Sequence, residues 1–482
     1  MNFKIVSYIV GRIMQLEAAL FMLPLITSLI YGEIKSAVSF LISAAIALVI
    51  GLFLSYVTGK NDKLLFAREG FATVAVAWIL MSAVGALPFV ISGQIPSYVD
   101  ALFETISGFT TTGASILANV EALGKGMLFW RSFTHWLGGM GVLVFIMAIL
   151  PQDSGRAIHI MRAEMAGPVV GKLVPKIKDT AKILYLIYIV LTAIEVVFLL
   201  FGGMSFYESL VHAFGTAGTG GFGILGDSIG SYNSYLQWVI TIFMLIFGVN
   251  FNLYYLLLIR QTKTVFMNTE LWAYIGIVVA SSLAITSNIY HIYGSASTSL
   301  RHAFFQVASV ITTTGFSTTN YDMWPEFSKS LIILLMFIGG CAGSTAGGIK
   351  ISRFIIAFKT LFKDIRQMIH PRSVSGVSLD GRKLDDKTIH GVNSYFALYL
   401  ILFLCIFLII SLEPFDFETN FTATLACFNN IGPGLGAVGP ASSFAAYSAP
   451  SKILLSFAML LGRLEIFPII LIFTPSFWKK NK

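Results

Sequence analysis

Charge is what this sequence has least of: only 12% of its 482 residues are Asp, Glu, Lys or Arg, against about 25% in an ordinary soluble domain. With 56% hydrophobic residues beside that scarcity, a soluble cytoplasmic enzyme and a disordered chain are both excluded. Cysteine is nearly absent as well. Cys341, Cys405 and Cys427 stand far apart in apolar or Gly-rich sequence, so no disulfide framework or metal-ligand spacing forms. There is no His-Glu-x-x-His, no phosphate loop ending in Gly-Lys-Ser/Thr, and no Ser, His and Asp grouping at a recognisable spacing, which argues against the common enzyme classes and a bound cofactor. The net charge of +8 would suit nucleic acid, but a basic excess in a membrane chain usually reports cytoplasmic loops.

What the sequence does have is apolar length. A helical crossing needs about 20 apolar residues, and such stretches lie near 5–30, 37–57, 70–92, 127–150, 183–202, 236–259, 271–290, 330–357, 392–412 and 453–474. Ten crossings put both termini on one side. The first stretch is too long for a signal-peptide core, contains Arg12 and Glu17, and lacks a clear cleavage site, so it reads as a retained helix. Loops 59–69, 151–182, 260–269, 350–390 and 475–482 hold 23 Lys or Arg, whereas the opposite loops 31–36, 93–126, 202–234, 290–326 and 413–451 hold 3. By the positive-inside rule both termini are cytoplasmic, in a multi-pass inner-membrane protein contacting lipid. Nucleic acid drops out as a partner.

Four of the opposite loops are long without being polar. Each begins like an amphipathic helix and ends in glycine: Thr110-Thr111-Thr112-Gly113-Ala114, Gly218-Thr219-Gly220-Gly221-Phe222, Thr312-Thr313-Thr314-Gly315-Phe316 and Ile431-Gly432-Pro433-Gly434-Leu435. Taking Gly113, Gly221, Gly315 and Gly434 as the key glycines, the spacings are 108, 94 and 119 residues, which marks an internal repeat. The expected architecture is an all-α polytopic membrane protein of four tandem helix, pore-loop, helix repeats around a pore. Residues 1–66 supply two extra N-terminal helices, and the repeats occupy 67–155, 156–262, 263–370 and 371–482.

A dozen apolar residues cannot cross, and irregular backbone at membrane depth is tolerated only where protein buries it or it lines a water-filled path. Each loop is therefore expected to dip in and return. A short helix running inward aims its negative end at the membrane centre, where it favours a cation. Beyond it the Gly-Thr turn offers a row of backbone carbonyls, and four rows about one axis can replace the hydration shell of a monovalent cation. One Thr-Gly turn means little, because such turns end helices everywhere. Four at matching places on one side are another matter. Pro433 makes the fourth turn the departure from the pattern.

Four linked units with one glycine per turn resemble the superfamily of K⁺ transporters that includes the Trk, Ktr and plant HKT proteins. The two extra N-terminal helices and the stretch Arg162-Ala163-Glu164-Met165-Ala166-Gly167-Pro168 are more similar to the Trk membrane subunit than to the shorter Ktr one. The resemblance implies K⁺ as the transported ion, held by filter carbonyls. It also implies a homodimer with one pore per protomer, and a cytoplasmic ring of nucleotide-binding regulatory subunits of the TrkA kind. Basic loops 151–182 and 350–390 are where such a partner is expected, with Lys359, Lys363 and Arg366 as contacts; anionic lipid headgroups are the alternative.

The last helix of the third repeat is interrupted by Gly339-Gly340-Cys341-Ala342-Gly343-Ser344-Thr345-Ala346-Gly347-Gly348-Ile349-Lys350. Each glycine costs a helix interior about 1 kcal/mol. Close packing by small residues is one reading. The other is a break below the filter, which matches the family's intramembrane gating loop. Arg463 lies eleven residues beyond Lys452, about 16 Å further at 1.5 Å per residue, so it is near mid-membrane; it either opposes ions in the pore or pairs structurally with Glu465 or another carboxylate. Asp100, Glu104 and Glu418, at the starts of the short helices, suggest a cation-attracting vestibule. Glu195 reads as a packing or functional carboxylate, and His135, His212 and His302 as helix-packing residues. The rival function is an alternating-access carrier coupled to Na⁺ or H⁺, because broken helices and repeats mark that class too.

Overall fold

Helices, several of them long enough to span a bilayer, build nearly all of the computed structural model, which describes residues 2–58, 67–141, 177–372 and 376–478. The expectations for loop residues 59–66 and 151–176, for the stretch Arg162–Pro168, for 142–150 and for 479–482 lie outside the described residues. Among the described residues six helices are long and apolar enough to cross: Phe3–Ile30, Ile34–Val57, Arg68–Ser92, Thr180–Phe201, Thr269–Tyr293 and Asp386–Ile410. The first two pack most tightly where Gly11 meets Gly51, since a Cβ on either would stand within 2.8 Å of the other's carbonyl oxygen. Small residues allow that approach in a setting where apolar burial alone does not drive helices together.

The interruption expected in the last helix of the third repeat is present, and the expected spans 236–259 and 453–474 are broken as well, while 127–150 is described only as far as Gly141. Ser234–Phe247 and Phe251–Leu258 meet at 89° across Gly248-Val249-Asn250. Glu326–Phe337 gives way to the glycine loop before Ile351–Ile369 resumes. Ala449–Arg463 stops at Leu464-Glu465-Ile466, where Glu465 and Ile466 have φ of +53° and +67°, before Phe467–Phe473. Lys125–Gly139 ends at Met140 and a left-handed Gly141. The breaks lie among packed protein rather than facing lipid: Gly248 and Phe247 supply carbonyls to Cys341 N–H (3.0 Å) and Thr345 Oγ1 (3.2 Å) of the glycine loop.

Four short helices, Tyr98–Phe109, Phe206–Ala217, Ala296–Ile311 and Phe417–Phe428, occupy the expected loops. At 12 to 16 residues they reach about 18–24 Å, short of a hydrocarbon core of about 30 Å. Each is capped by a side chain that accepts the third N–H of the helix: Ser97, Ser205, Ser295 and Asp416. Such a cap contributes about 1 kcal/mol, and it fixes where each helix starts and hence where its far end delivers the chain.

Candidate functional site

Past the end of each short helix the backbone repeats one construction. The N–H groups of Thr112, Gly220, Thr314 and Ile431 reach back to the carbonyls of Ser107, Gly215, Ser309 and Ala426, at 2.8–2.9 Å. The residue before each is left-handed: Thr111, Thr219, Thr313 and Asn430 have φ between +54° and +56°. The residue after each is a left-handed glycine: Gly113, Gly221, Gly315 and Gly432, with φ of +79°, +76°, +86° and +97°. A β-branched Thr at positive φ is strained, and three of them at matching positions mark a held, functional backbone.

The register of the fourth segment is therefore a correction to the sequence reading. Its glycine is Gly432, not Gly434, and the segment equivalent to Thr110–Gly113 is Asn429–Gly432. Pro433 and Gly434 lie past it, and Gly434 has no positive φ. Asn430 carries the left-handed turn instead, as Asn does more readily than any branched residue. The run Asn-Asn-Ile-Gly lacks both the Thr residues and the Gly-Gly of the others, and the Gly-Pro-Gly that follows draws the eye two residues too far.

The four segments close a ring. A Cβ on Gly113 would run into Gly220 O; on Gly221, into Thr314 O; on Gly315, into Ile431 O; and on Gly432 it would come within 2.7 Å of Thr112 O. Each glycine abuts the carbonyl of the next segment, and the fourth returns to the first. Alternating the hand of successive residues turns neighbouring carbonyls to one side. Among the described residues, no donor reaches the buried carbonyl oxygens of Thr112, Gly220, Thr314 and Ile431. Buried carbonyls are almost always paired, so these four stand out from the rest of the packed backbone. Outside it, Gly113, Gly221, Gly315 and Gly432 all line one mouth of about 240 Å³.

On the other side of the ring lies the glycine loop. It folds back on itself through Gly339 N–H to Ile349 O (2.8 Å), with left-handed turns at Gly343 and Gly348. Gly347 N–H donates to Thr313 Oγ1 at 2.7 Å, directly under the ring. Arg463 donates to Thr345 O (2.9 Å), to Gly139 O (2.6 Å) and to Gly138 O, joining the loop to the end of the first repeat's second helix. Gly340 packs on Gly248 O, and Ser344 bonds Cys341 O. Two charged groups that sequence reasoning missed complete the loop. Lys350, 1% exposed, turns its Nζ onto Ala346 O and Gly347 O. Glu270 Oε1 accepts Ala342 N–H (2.8 Å) and Ser352 N–H (2.9 Å), holding both ends of the loop. No sequence signal pointed to Glu270, which sits 72 residues from its first partner. A cavity of about 50 Å³ remains among Gly139, Ser344, Gly347, Lys350, Arg463 and their neighbours, room for a few waters.

Two other expectations change. Glu465 is ion-paired with Arg353, so it is not reserved for Arg463. The cation-attracting vestibule is corrected, because each carboxylate has a basic partner from another helix: Glu104 with Arg131 at 2.5 Å, Asp100 with Lys452 at 2.6 Å, and Glu418 with Lys329 at 3.6 Å. Opposite charges a few ångströms apart cancel at a distance. The histidines stay within the packing: Nδ1 of His135 meets Gly108 O, that of His212 meets Glu208 O, and that of His302 meets Thr318 Oγ1, at 2.7–2.8 Å. Glu195 is fully buried against Thr216. Among the described residues no group of His, Cys, Asp or Glu forms a metal cage.

The sequence matches the family described as TrkH, cation transport protein, over residues 36–274 and 256–480. It is 37% identical to the Trk system potassium uptake protein TrkH of Salmonella typhimurium over the whole of both chains. It is 35% identical to TrkG of Escherichia coli over 99% of each. The crystal structure of the potassium transporter TrkH from Vibrio parahaemolyticus superposes with a TM-score of 0.89 at 32% identity, covering 99% of this chain and 100% of that one. With its broken helices and closed ring of glycine turns, this chain belongs to the TrkH family of cation transport proteins.

Proposed function

We propose that the chain carries K⁺ across the cytoplasmic membrane through the ring formed by Thr110–Gly113, Gly218–Gly221, Thr312–Gly315 and Asn429–Gly432. The observation that carries this is the set of four inward segments whose carbonyls receive no donor among the described residues. Those oxygens replace water around a bare cation, and the four helix ends that deliver them add negative potential. Relatives named as potassium uptake proteins support the choice of ion. Gly339, Gly340, Gly343, Ser344, Thr345, Gly347, Gly348 and Arg463 act as the gate. Both termini face the cytoplasm, as the basic loops require. Tracer flux into liposomes holding the purified chain tests this: K⁺ is expected to pass well ahead of Na⁺ and at channel-like rates. Equal K⁺ and Na⁺ flux overturns the selectivity, and slow flux that requires a Na⁺ or H⁺ gradient points to the carrier.

The gate is worked by a cytoplasmic nucleotide-binding subunit in a homodimeric assembly. Relatives are named as parts of a Trk system, and helix Ile351–Ile369 leaves the glycine loop with Lys363 half-buried and Arg366 exposed at its far end. Lys359 has a different task, since its Nζ donates to Ser378 O of the hairpin Ser378–Lys383 at 2.8 Å. Lys363→Glu with Arg366→Glu is therefore the cleaner reversal. Co-purification of a Trk-system nucleotide-binding subunit is expected to fall about tenfold for two lost charge contacts of about 0.7 kcal/mol each. Undiminished co-purification places the docking surface elsewhere.

A further inference from the structure

Behind the outer half of the ring, one buried ion pair touches two of the four segments. Arg131 and Glu104 are 4% and 1% exposed, with Nε to Oε1 at 2.5 Å. The carboxylate accepts Ile116 N–H at 2.9 Å and Ser115 Oγ at 2.9 and 3.1 Å, and so holds the chain two and three residues past Gly113. The guanidinium donates to Gly223 O at 3.1 Å and lies 3.6 Å over the Phe222 ring, and so holds the chain one and two residues past Gly221. Ser132, the next residue, adds a bond to Phe222 O at 3.2 Å. Arg131 also lines the outer mouth beside the four ring glycines.

Among the described residues no such pair holds the chain past Gly315 or Gly432. Nine residues before each ring glycine stand Glu104, His212, Gln306 and Ala423, so the carboxylate is peculiar to the first. The chain past Gly315 is held by Ser309 Oγ on Phe316 O, and that past Gly432 by Thr422 Oγ1 on Leu435 N–H and Thr419 Oγ1 on Ala437 N–H. In the third segment a neutral hydroxyl does what a charged pair does here, and in the fourth the hydroxyls are joined by the Asp322 carboxylate, whose Oδ1 accepts Gly436 N–H at 3.1 Å. Charge-assisted bonds are roughly twice as strong as neutral ones, and the planar fork of Arg reaches two acceptors at fixed angles as a Lys ammonium does not.

We propose that Glu104 and Arg131 are positioning residues for ion selectivity: as a pair they tie the first and second ring segments together and fix the width of the ring at that corner. This rests on the filter reading above. Cation discrimination by carbonyls depends on their number and placement. Loosening two of four segments lets the ring close around a smaller ion.

The test is the K⁺/Na⁺ flux ratio per folded molecule of the full chain in liposomes. Arg131→Lys keeps the ion pair but gives up the reach to Gly223 O, and it is expected to lower the ratio about tenfold, equivalent to about 1.4 kcal/mol of discrimination. Glu104→Gln with Arg131→Gln leaves no unpaired charge, and its ratio is expected to fall as far. Ser115→Ala leaves the ion pair in place but removes the hydroxyl that donates to the Glu104 carboxylate and accepts Leu117 N–H at 3.1 Å, and it is expected to lower the ratio about threefold. A wild-type ratio in folded Arg131→Lys or in the double variant overturns the proposal, and a wild-type ratio for Ser115→Ala does so where neither of those folds. Gly113→Ser separates the two levels. If it too keeps the wild-type ratio, the filter reading falls and takes the pair with it; if it collapses the ratio while the pair variants do not, the pair alone is wrong.

Discussion

Gly432→Ala is expected to collapse K⁺ over Na⁺ discrimination, while Gly434→Ala leaves it intact in whatever protein folds. At Gly432 the added Cβ is doubly opposed: φ is +97°, and the nearest atom is Thr112 O at 2.7 Å, one of the ring carbonyls. An L residue forced to positive φ costs about 1–2 kcal/mol, and the chain relieves it by turning a peptide or pushing Thr112 out of line. Either movement acts on the oxygens that face the ion. A loss of about 1.4 kcal/mol in the preference is tenfold, and tenfold is the minimum expected. At Gly434 a Cβ meets Thr422 Oγ1 at 2.7 Å and Val438 Cγ2 at 2.9 Å. The strain there falls on packing outside the ring, so the yield of folded protein drops and the ratio does not. Flux ratios of the two variants measured side by side check the register. A collapse at Gly434 with normal selectivity at Gly432 would restore the sequence-based assignment.

That pair of neighbouring glycines shows what the sequence carries and what it hides. Long apolar runs and the asymmetry of Lys and Arg are properties of composition, so the spans and the four inward loops are legible without any contact. Three ring segments are legible as well, because Thr-Gly strings are rare enough to be seen when they recur. The fourth is not, since the left-handed position accepts Asn430 more readily than Thr and only the backbone shows which residue is there. The break in the last helix is hidden for another reason. Glu465 and Ile466 have no helix-breaking side chain; Gly462, two residues before Leu464, is hemmed in by Phe428 O, and packing against the ring imposes the turn. Ion pairs are least legible of all. Glu104 and Arg131 are 27 residues apart, and Asp100 and Lys452 are 352 apart, so carboxylates that look like an open vestibule are matched by partners no local pattern predicts.

Arg463→Ala is expected to raise basal K⁺ flux, by up to about thirtyfold, and the structure gives it two ways to do so. One is electrostatic. A fixed charge about 8 Å from a passing K⁺, at an effective dielectric of about 20, opposes it by about 2 kcal/mol, and each 1.4 kcal/mol is tenfold in rate. The other is mechanical. Arg463 holds Thr345 O of the glycine loop and the carbonyls of Gly138 and Gly139 at once, so without it the loop is released from the first repeat. Arg463→Lys separates the two, since it keeps the charge while a compact ammonium lacks the planar two-nitrogen span with which Arg463 reaches carbonyls on two elements. High flux in both variants assigns the gate to the tie, and high flux in the alanine variant alone assigns it to the charge. Lys350 and the bonds that Glu270 makes to Ala342 and Ser352 remain in either case, which caps the gain below that of removing the loop. Shortening Gly343–Gly348 should therefore exceed Arg463→Ala, because it deletes the obstruction together with the Gly347 N–H that reaches Thr313. Flux per folded molecule, without any cytoplasmic partner, ranks the three. Unchanged flux in folded Arg463→Ala and in the shortened loop together would mean that this segment only packs helices, and that the gate lies elsewhere in the chain.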